Sequence, residues 1–305
     1  MSNFQLSGCQ SYLTEEPMIH HSSPVGQFLV KFWGVRGLIP TPSSRTKRYG
    51  GNTACIEIYV AGKHLIFDGG TGLRKLGKTW QKLEKPVEAH LFFTNSQSNH
   101  IQGFPFFAPA FVKENCFHIY GIAASNGASI KQCLGDQMLQ PLFPYPIQAM
   151  QSELRFYHLN PGCEINLDDV TITTALIHQS QKSVGYRVTN EEYTVAYVTD
   201  LHNNLQQIER DRILRIVQDA DLLIANATYN PPTAYNYEST DVHWKTAVEL
   251  ANIAGVKQLV ISQHHPDDSD DFLDKAQLEI QSVFPNALLA SEGLVLSVDN
   301  QSISS

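Results

Sequence analysis

Short apolar runs separated by polar or glycine-rich turns dominate the first half of the chain, and this pattern is typical of β-strands. They predict strands at residues 28–33, 55–60, 65–67, 89–94 and 116–122. Apolar residues at helical spacing predict helices at residues 72–82, near residue 101 and at 130–138. Three prolines within residues 141–146 forbid regular structure there, so we interpret that segment as a surface loop or a dimer contact.

The second half repeats this order of strands followed by helices. Strands are predicted at residues 154–158, 170–177, 184–188, 194–198, 222–225, 259–262 and 294–298, and helices at 205–218, 244–254 and 272–283. Two such halves predict an α/β fold in which two sheets face each other with helices outside. We assign residues 27–298 to one domain, 1–26 to a flexible N-terminal leader and 299–305 to a C-terminal tail.

Composition and charge narrow the class of protein. Apolar residues make up 42% of the chain, yet no apolar run is long enough to span a membrane. The pattern indicates no signal peptide, so we predict a cytoplasmic protein without a membrane partner. The net charge of -8 disfavours nucleic acid as a partner without excluding it. The five cysteines form no C-x-x-C pair, and we interpret them as buried thiols rather than a disulfide frame or a zinc knot.

Polar side chains follow several predicted strands at the point where the chain turns. They are the segment 95–100, then His178, Asp200 and Asn226, and finally the segment 263–265. In layered α/β folds, functional groups gather on loops at one edge of a sheet. The sequence therefore predicts a site at such an edge.

Six motifs resemble the metallo-β-lactamase superfamily, and within it the phosphodiesterase-like and RNase Z-like hydrolases. The motifs are residues 32–40 (FWGVRGLIP), 49–53 (YGGNT), 65–73 (LIFDGGTGL), 92–104 (FFTNSQSNHIQGF), 185–187 (GYR) and 197–200 (YVTD). The resemblance spans roughly residues 27–274 and implies a four-layer αββα sandwich. It also implies a centre of two metal ions that activate a water molecule. Their ligands would be a His-x-His-x-Asp-His loop, a third His, a bridging Asp and a last His.

This sequence departs from the family pattern at the ligand positions. The loop carries Asn95, Gln97, Asn99 and His100, so only the last position matches. His178 matches the third His and Asp200 the bridging Asp, while Gln263 stands at the last ligand position. Amides coordinate zinc poorly, so we expect the dinuclear centre to be absent.

The resemblance also assigns roles to residues around these positions. Asp68 would organise the metal loop, although a plain turn aspartate that caps backbone amides explains it equally well. Asn226 replaces an Asp that the family often carries, and His243 or His264 could act as a substitute proton donor.

These departures predict a pocket of amides, imidazoles and carboxylates. Its members are Asp68, Asn95, Gln97, Asn99, His100, His178, Asp200, Asn226 and Gln263. We predict a non-catalytic pseudoenzyme without a cofactor that binds a small polar ligand or a protein partner, with a homodimer as one form. The alternative is a residual phosphodiesterase or ribonuclease-type hydrolase that holds zinc, manganese or magnesium weakly through His100, His178 and Asp200.

Most of the 12 histidines are expected away from this pocket. They are His20, His21, His64, His90, His118, His158 and His202.

Overall fold

The computed structural model describes residues 28–83, 85–191, 193–202, 205–227 and 244–298. The predicted leader, the predicted tail and His243 lie outside these residues. Within the described part of the chain, no helix is both long and apolar enough to cross a membrane.

The first sheet has seven strands in the order β14-β1-β2-β3-β4-β5-β6. Strands β1 to β3 are antiparallel, with a two-residue turn between β2 and β3, whereas β3 to β6 run parallel. The strands are β1 (Phe28–Gly34), β2 (Cys55–Val60), β3 (Lys63–Phe67), β4 (Glu88–Phe92), β5 (Cys116–Gly121), β6 (Glu153–His158) and β14 (Val295–Ser297). Helices α1 (Gly72–Trp80), α2 (Ser98–Ile101) and α3 (Ile130–Asp136) belong to this half.

The second sheet also has seven strands, in the order β13-β12-β11-β10-β9-β8-β7. Its strands are β7 (Glu164–Leu167), β8 (Val170–His178), β9 (Ser183–Asn190), β10 (Tyr193–Val198), β11 (Leu222–Asn226), β12 (Gln258–Ser262) and β13 (Ala287–Leu289). Strands β10 to β13 run parallel, which requires crossover connections. Helices α4 (Gln207–Val217), α5 (Lys245–Ile253) and α6 (Asp270–Val283) follow strands of this sheet in the chain.

Three apolar cores hold the layers together. The central core joins inward-facing side chains of both sheets, such as Phe67 and Phe92 from the first and Tyr186 and Val195 from the second. A second core packs α4, α5 and α6 on the outer face of the second sheet, and a third packs helices on the outer face of the first. The predicted αββα sandwich is confirmed.

Three strands differ from the sequence prediction. Strands β7 and β13 were not predicted, because they are only four and three residues long and β7 is half-exposed. The last strand, β14, pairs with β1 and so returns to the first sheet. Since strand pairing is not encoded in local periodicity, the pattern predicted this strand without its partner.

Candidate functional site

The carboxyl ends of parallel strands from both sheets meet at one edge of the sandwich. Asp68 follows β3, the segment 94–95 follows β4, Asp200 follows β10 and Gln263 follows β12. Three of these residues adopt positive φ angles, at 61° for Asp68, 61° for Asp200 and 57° for Gln263. Such backbone angles are costly for non-glycine residues and cluster at functional sites. We call this region the strand-end site.

Asp68 is the best-connected side chain of the strand-end site. Its carboxylate is buried and accepts hydrogen bonds from the backbone N–H of Thr94 at 2.9 Å, from the Thr94 hydroxyl at 2.9 Å and from the Tyr197 hydroxyl at 2.8 Å. His100 Nδ1 lies 2.8 Å from the same carboxylate. Asp68 therefore connects the loop after β4 to β10 of the other sheet. A plain turn aspartate would cap only nearby backbone amides.

His100 is wholly buried and held through one ring nitrogen. Burial lowers the pKa of His100, but the nearby carboxylates of Asp68 and Asp200 outweigh this effect and leave the pKa raised. The other ring nitrogen, Nε2, is buried and has no hydrogen-bond partner among the described residues. A buried nitrogen in this state is costly unless a ligand or a water satisfies it.

Asn95 and Asp200 form the hydrogen bond that defines the outer part of the strand-end site. Asn95 Nδ2 donates to Asp200 Oδ2 at 2.6 Å, and Asn95 Oδ1 accepts from the backbone N–H of Gln97 at 2.8 Å. Because the second bond requires an acceptor, the amide can take only one orientation. A donor N–H thus faces the carboxylate of Asp200.

His178 and His202 stand side by side next to this pair. Their ring centroids are 4.9 Å apart, and burial together with His178 lowers the pKa of His202. His178 Nδ1 accepts from the backbone N–H of Gln181 at 3.2 Å. The expectation that His202 lies away from the pocket is wrong. Its position two residues after Asp200 is the sequence signal that could have identified it.

The remaining amides serve different purposes. Gln97 is exposed, whereas Asn99 and Gln263 are buried. Gln263 Nε2 donates to the Tyr197 hydroxyl at 3.3 Å. Asn226 Oδ1 accepts from the backbone N–H of Leu201 at 2.9 Å, so it holds the chain beyond Asp200 in place. Thr94 and Tyr197 had no predicted role, although both stand within the family motifs.

His264 faces away from the group around Asp200. Its Nε2 donates to the backbone carbonyl of Ala290 at 2.7 Å, and its ring packs edge-on against Tyr49. Burial and the charge of Arg36 outweigh the bond to Ala290 and lower the pKa of His264 to about 4. This geometry gives no support to His264 as a proton donor, because the ring is enclosed and already bonded.

The residues of the strand-end site do not fit a dinuclear metal centre. Each zinc ion of such a centre needs three lone-pair donors from the protein. Here Asn95 directs an N–H at Asp200, Gln97 is exposed, and Gln263 donates to Tyr197. The carboxylate of Asp68 and the ring of His264 are already engaged by other groups, which leaves His100, His178, His202 and Asp200 as candidate nitrogen and carboxylate donors near Asn95.

A cavity of about 450 Å³ lies elsewhere, beside α4, and is lined by Arg187, Arg212 and Arg215 together with Thr173 and Thr174. Arg187 donates to the backbone carbonyls of Ile216 and Gln218, so its guanidinium satisfies carbonyl groups at the C-terminal end of α4. The cavity shares no residue with the strand-end site.

Solved structures share this fold. YhfI from Bacillus subtilis, described as a metallo-β-lactamase fold protein, is 19% identical with a TM-score of 0.62, over 88% of this chain and 98% of that one. A diphosphatase from the PhnP family is 16% identical with a TM-score of 0.63, over 88% of this chain and 97% of that one. Human tRNase Z, short form (ELAC1), is 15% identical with a TM-score of 0.60, over 88% of this chain and 99% of that one.

Comparison of the amino-acid sequence with known families identifies the superfamily of this chain. No curated protein sequence matches the chain. The family model described as the beta-lactamase superfamily domain matches residues 63–265, which hold the motifs that begin at residues 65, 92, 185 and 197. The chain therefore belongs to the β-lactamase superfamily and has the metallo-β-lactamase fold.

Proposed function

We propose that this chain is a non-catalytic member of its superfamily, a regulatory pseudoenzyme that binds a small polar ligand or a protein partner. The hydrogen bond from Asn95 Nδ2 to Asp200 Oδ2 carries the proposal. It joins the positions at which the resemblance places the first histidine ligand and the bridging carboxylate. An N–H donor in that place stabilises the carboxylate directly, as a metal ion would in an active relative.

The charge of the strand-end site supports the same function. A metal-free centre that kept all its carboxylates would bury several negative charges close together at a large cost. In this chain Asn99 replaces the aspartate of the loop, and the carboxylate of Asp68 is stabilised by four neighbouring polar groups. Asp200 then remains as one partly exposed acceptor beside the imidazoles, which suits a small cationic or hydroxyl-bearing ligand.

A protein partner would use a different surface. The side chains of Phe106, Leu139, Leu142 and Tyr145 are exposed, and Leu142 is 79% accessible. Phe106 packs edge-on against Phe143, so these residues form one apolar area around the proline-rich segment. A second copy of the chain would cover this area in a homodimer.

Metal analysis of matched variants tests the pseudoenzyme. The zinc content of the purified protein should not change on Asp200→Ala. The triple variant Asn95→His, Gln97→His and Asn99→Asp should gain zinc, and Asp200→Ala should remove that gain. Neither the wild type nor Asp200→Ala should hydrolyse bis(4-nitrophenyl) phosphate. Zinc or turnover in the wild type that Asp200→Ala abolishes would overturn the proposal.

A residual metal-dependent hydrolase of phosphodiesters is the second candidate, favoured by the pair His178 and His202 beside Asp200. One weakly bound zinc, manganese or magnesium ion would use these donors, and the unpartnered Nε2 of His100 would offer one more nitrogen. His243, which lies outside the described residues, would be its proton donor.

Manganese dependence separates the two candidates. For the hydrolase, added Mn²⁺ should produce phosphodiesterase activity that His202→Ala and Asp200→Ala both abolish. The exposed His158 provides a matched control, and His158→Ala should retain the activity. The absence of activity across a Mn²⁺ titration would reject this candidate.

A further inference from the structure

A second group of ligand-type side chains lies at the opposite ends of β4 and β5, where these strands begin. Side chains two residues apart on a strand point to the same face. Glu88 and His90 on β4 share one face with Cys116 and His118 on β5. The parallel register places Glu88 beside Cys116 and His90 beside His118. We call these four residues the strand-start cluster.

Three atoms of the strand-start cluster converge. His118 Nε2 lies 2.9 Å from Glu88 Oε1 and 3.8 Å from Cys116 Sγ. One ligand atom from each of the three residues lies within 4.8 Å of the other two. Zinc–sulfur and zinc–nitrogen bonds of about 2.3 and 2.0 Å place tetrahedral ligand atoms roughly 3.3–3.6 Å apart. The two distances from His118 Nε2 therefore lie within a few tenths of an ångström of these values, and the Glu88 and Cys116 atoms are at most 4.8 Å apart.

Neighbouring side chains hold His118 in the orientation that a metal ligand needs. Without an ion, His118 Nε2–H donates to Glu88, so metal binding requires the proton on Nδ1 instead, where the Tyr157 hydroxyl 3.0 Å away can accept it. His90 stacks on the other side of the ring, with centroids 4.6 Å apart. Metal-bound histidines usually carry such a partner on the second nitrogen.

The surroundings of the cluster allow an ion to enter. The side chain of His118 is only 10% accessible, whereas that of Glu88 is 66% accessible and Cys116 is intermediate. Cys116 is a free thiol. An ion can thus reach the cluster from the Glu88 side and be enclosed on the His118 side.

We propose that Cys116, His118 and Glu88 form a transition-metal site that prefers zinc, with water in the fourth position. Thiolate, imidazole and carboxylate form a donor set of the kind that zinc uses. Binding converts the Cys116 thiol to a thiolate, and the proton is released to solvent. This site is independent of the strand-end site, because the two share no residue and lie at opposite ends of β4.

The experiment is a Co²⁺ titration of the full-length, reduced, metal-free protein. Cobalt bound to a thiolate gives a sulfur-to-metal absorption band, and zinc competition then gives the affinity for Zn²⁺. We expect one equivalent with this band. Cys116→Ser should abolish the band, and His118→Gln and Glu88→Gln should each weaken zinc binding at least tenfold.

Matched controls separate this proposal from the others. Cys133 is another partly exposed free cysteine, on α3, and Cys133→Ser should keep the band. Asp200→Ala should also keep it, so metal bound at the strand-end site cannot imitate the result. Circular dichroism of each variant verifies the fold. Absence of the band in the wild type, or its persistence in Cys116→Ser, would overturn the site.

Discussion

The strand-end site and the strand-start cluster use opposite ends of the same strand, β4, and differ in the chemistry of their side chains. At the strand-end site, amides stand where the family has metal ligands, and Asn95 donates a hydrogen bond to Asp200. At the strand-start cluster, a thiol, an imidazole and a carboxylate converge without any family motif. Both ends hold polar side chains close together, but metal binding also requires lone-pair donors, which the proposed site at the strand-start cluster supplies and the amides of the strand-end site do not.

The largest expected effect is the difference in the free energy of unfolding between a variant of the strand-end site and a variant of the strand-start cluster. We expect Asp68→Ala to lower the free energy of unfolding by about 3–5 kcal/mol, because it leaves Thr94, Tyr197 and His100 with unsatisfied buried groups. Glu88→Ala, at the mostly exposed carboxylate of the strand-start cluster, should change it by no more than about 0.5 kcal/mol. Urea denaturation of both variants measures the contrast. Equal losses would mean that the strand-start cluster is as structurally important as Asp68.

Acid should weaken the edge that contains His264. The pKa of His264 is lowered to about 4 in the fold, so between about pH 6.5 and pH 4 the unfolded chain binds a proton that the folded chain does not. The free energy of unfolding should fall by up to roughly 3 kcal/mol as the pH drops through this window.

His264→Gln keeps a donor towards the carbonyl of Ala290 and removes the titrating group. Its unfolding free energy, measured by denaturation from pH 7 to pH 4, should depend less on pH than that of the wild type. The exposed residue His158 supplies the control, since His158→Gln should leave the dependence unchanged. If the unfolding free energy of His264→Gln depended on pH as strongly as that of the wild type, His264 would not be the group responsible.

A single charge change tests whether the strand-end site can hold a metal ion. Asn95→Asp places two carboxylates where the 2.6 Å hydrogen bond stands, so the protein should lose about 2 kcal/mol at pH 7. The repulsion raises the pKa of one carboxyl group in the fold, and the loss should therefore diminish as the pH falls. Thermal unfolding with and without Zn²⁺ or Mn²⁺ measures both effects.

Rescue of Asn95→Asp by a metal ion, in a Cys116→Ser background, would show that the strand-end geometry still accepts an ion. Asn95→Ala removes the same hydrogen bond without adding charge. It should be less destabilised than Asn95→Asp and should not respond to metal.

The smallest effect concerns the orientation of His118. Tyr157→Phe removes the hydroxyl 3.0 Å from His118 Nδ1 and should weaken zinc binding at the strand-start cluster by about tenfold, or about 1.4 kcal/mol. Zinc competition against a chromophoric chelator measures it. Tyr120→Phe, whose hydroxyl lies 3.2 Å from His90 Nδ1, is the matched control and should have a smaller effect. An unchanged zinc affinity in Tyr157→Phe would show that the Tyr157 hydroxyl does not orient His118 for metal binding.

Local sequence patterns predicted most of the fold. Strands such as β1 and β2 have apolar runs that end in glycine or polar turns, and α6 begins after Ser269 with apolar spacing. The prediction that ligand positions are replaced also came from local motifs, because Asn95, Gln97 and Asn99 stand where the resemblance places metal ligands. Short strands such as β13 were not predicted, because three residues are too few to show the alternation of apolar and polar positions that marks a strand.

The sequence by itself determined the layered scaffold, the family and the identity of the side chains at the end of each strand. Tertiary structure alone decided which of these side chains meet. Asn95 and Asp200 are 105 residues apart in the chain, and Glu88 reaches Cys116 only through the register of β4 and β5. Residue type and periodicity are local properties, whereas distances between functional atoms depend on strand register and on the packing of one sheet against the other.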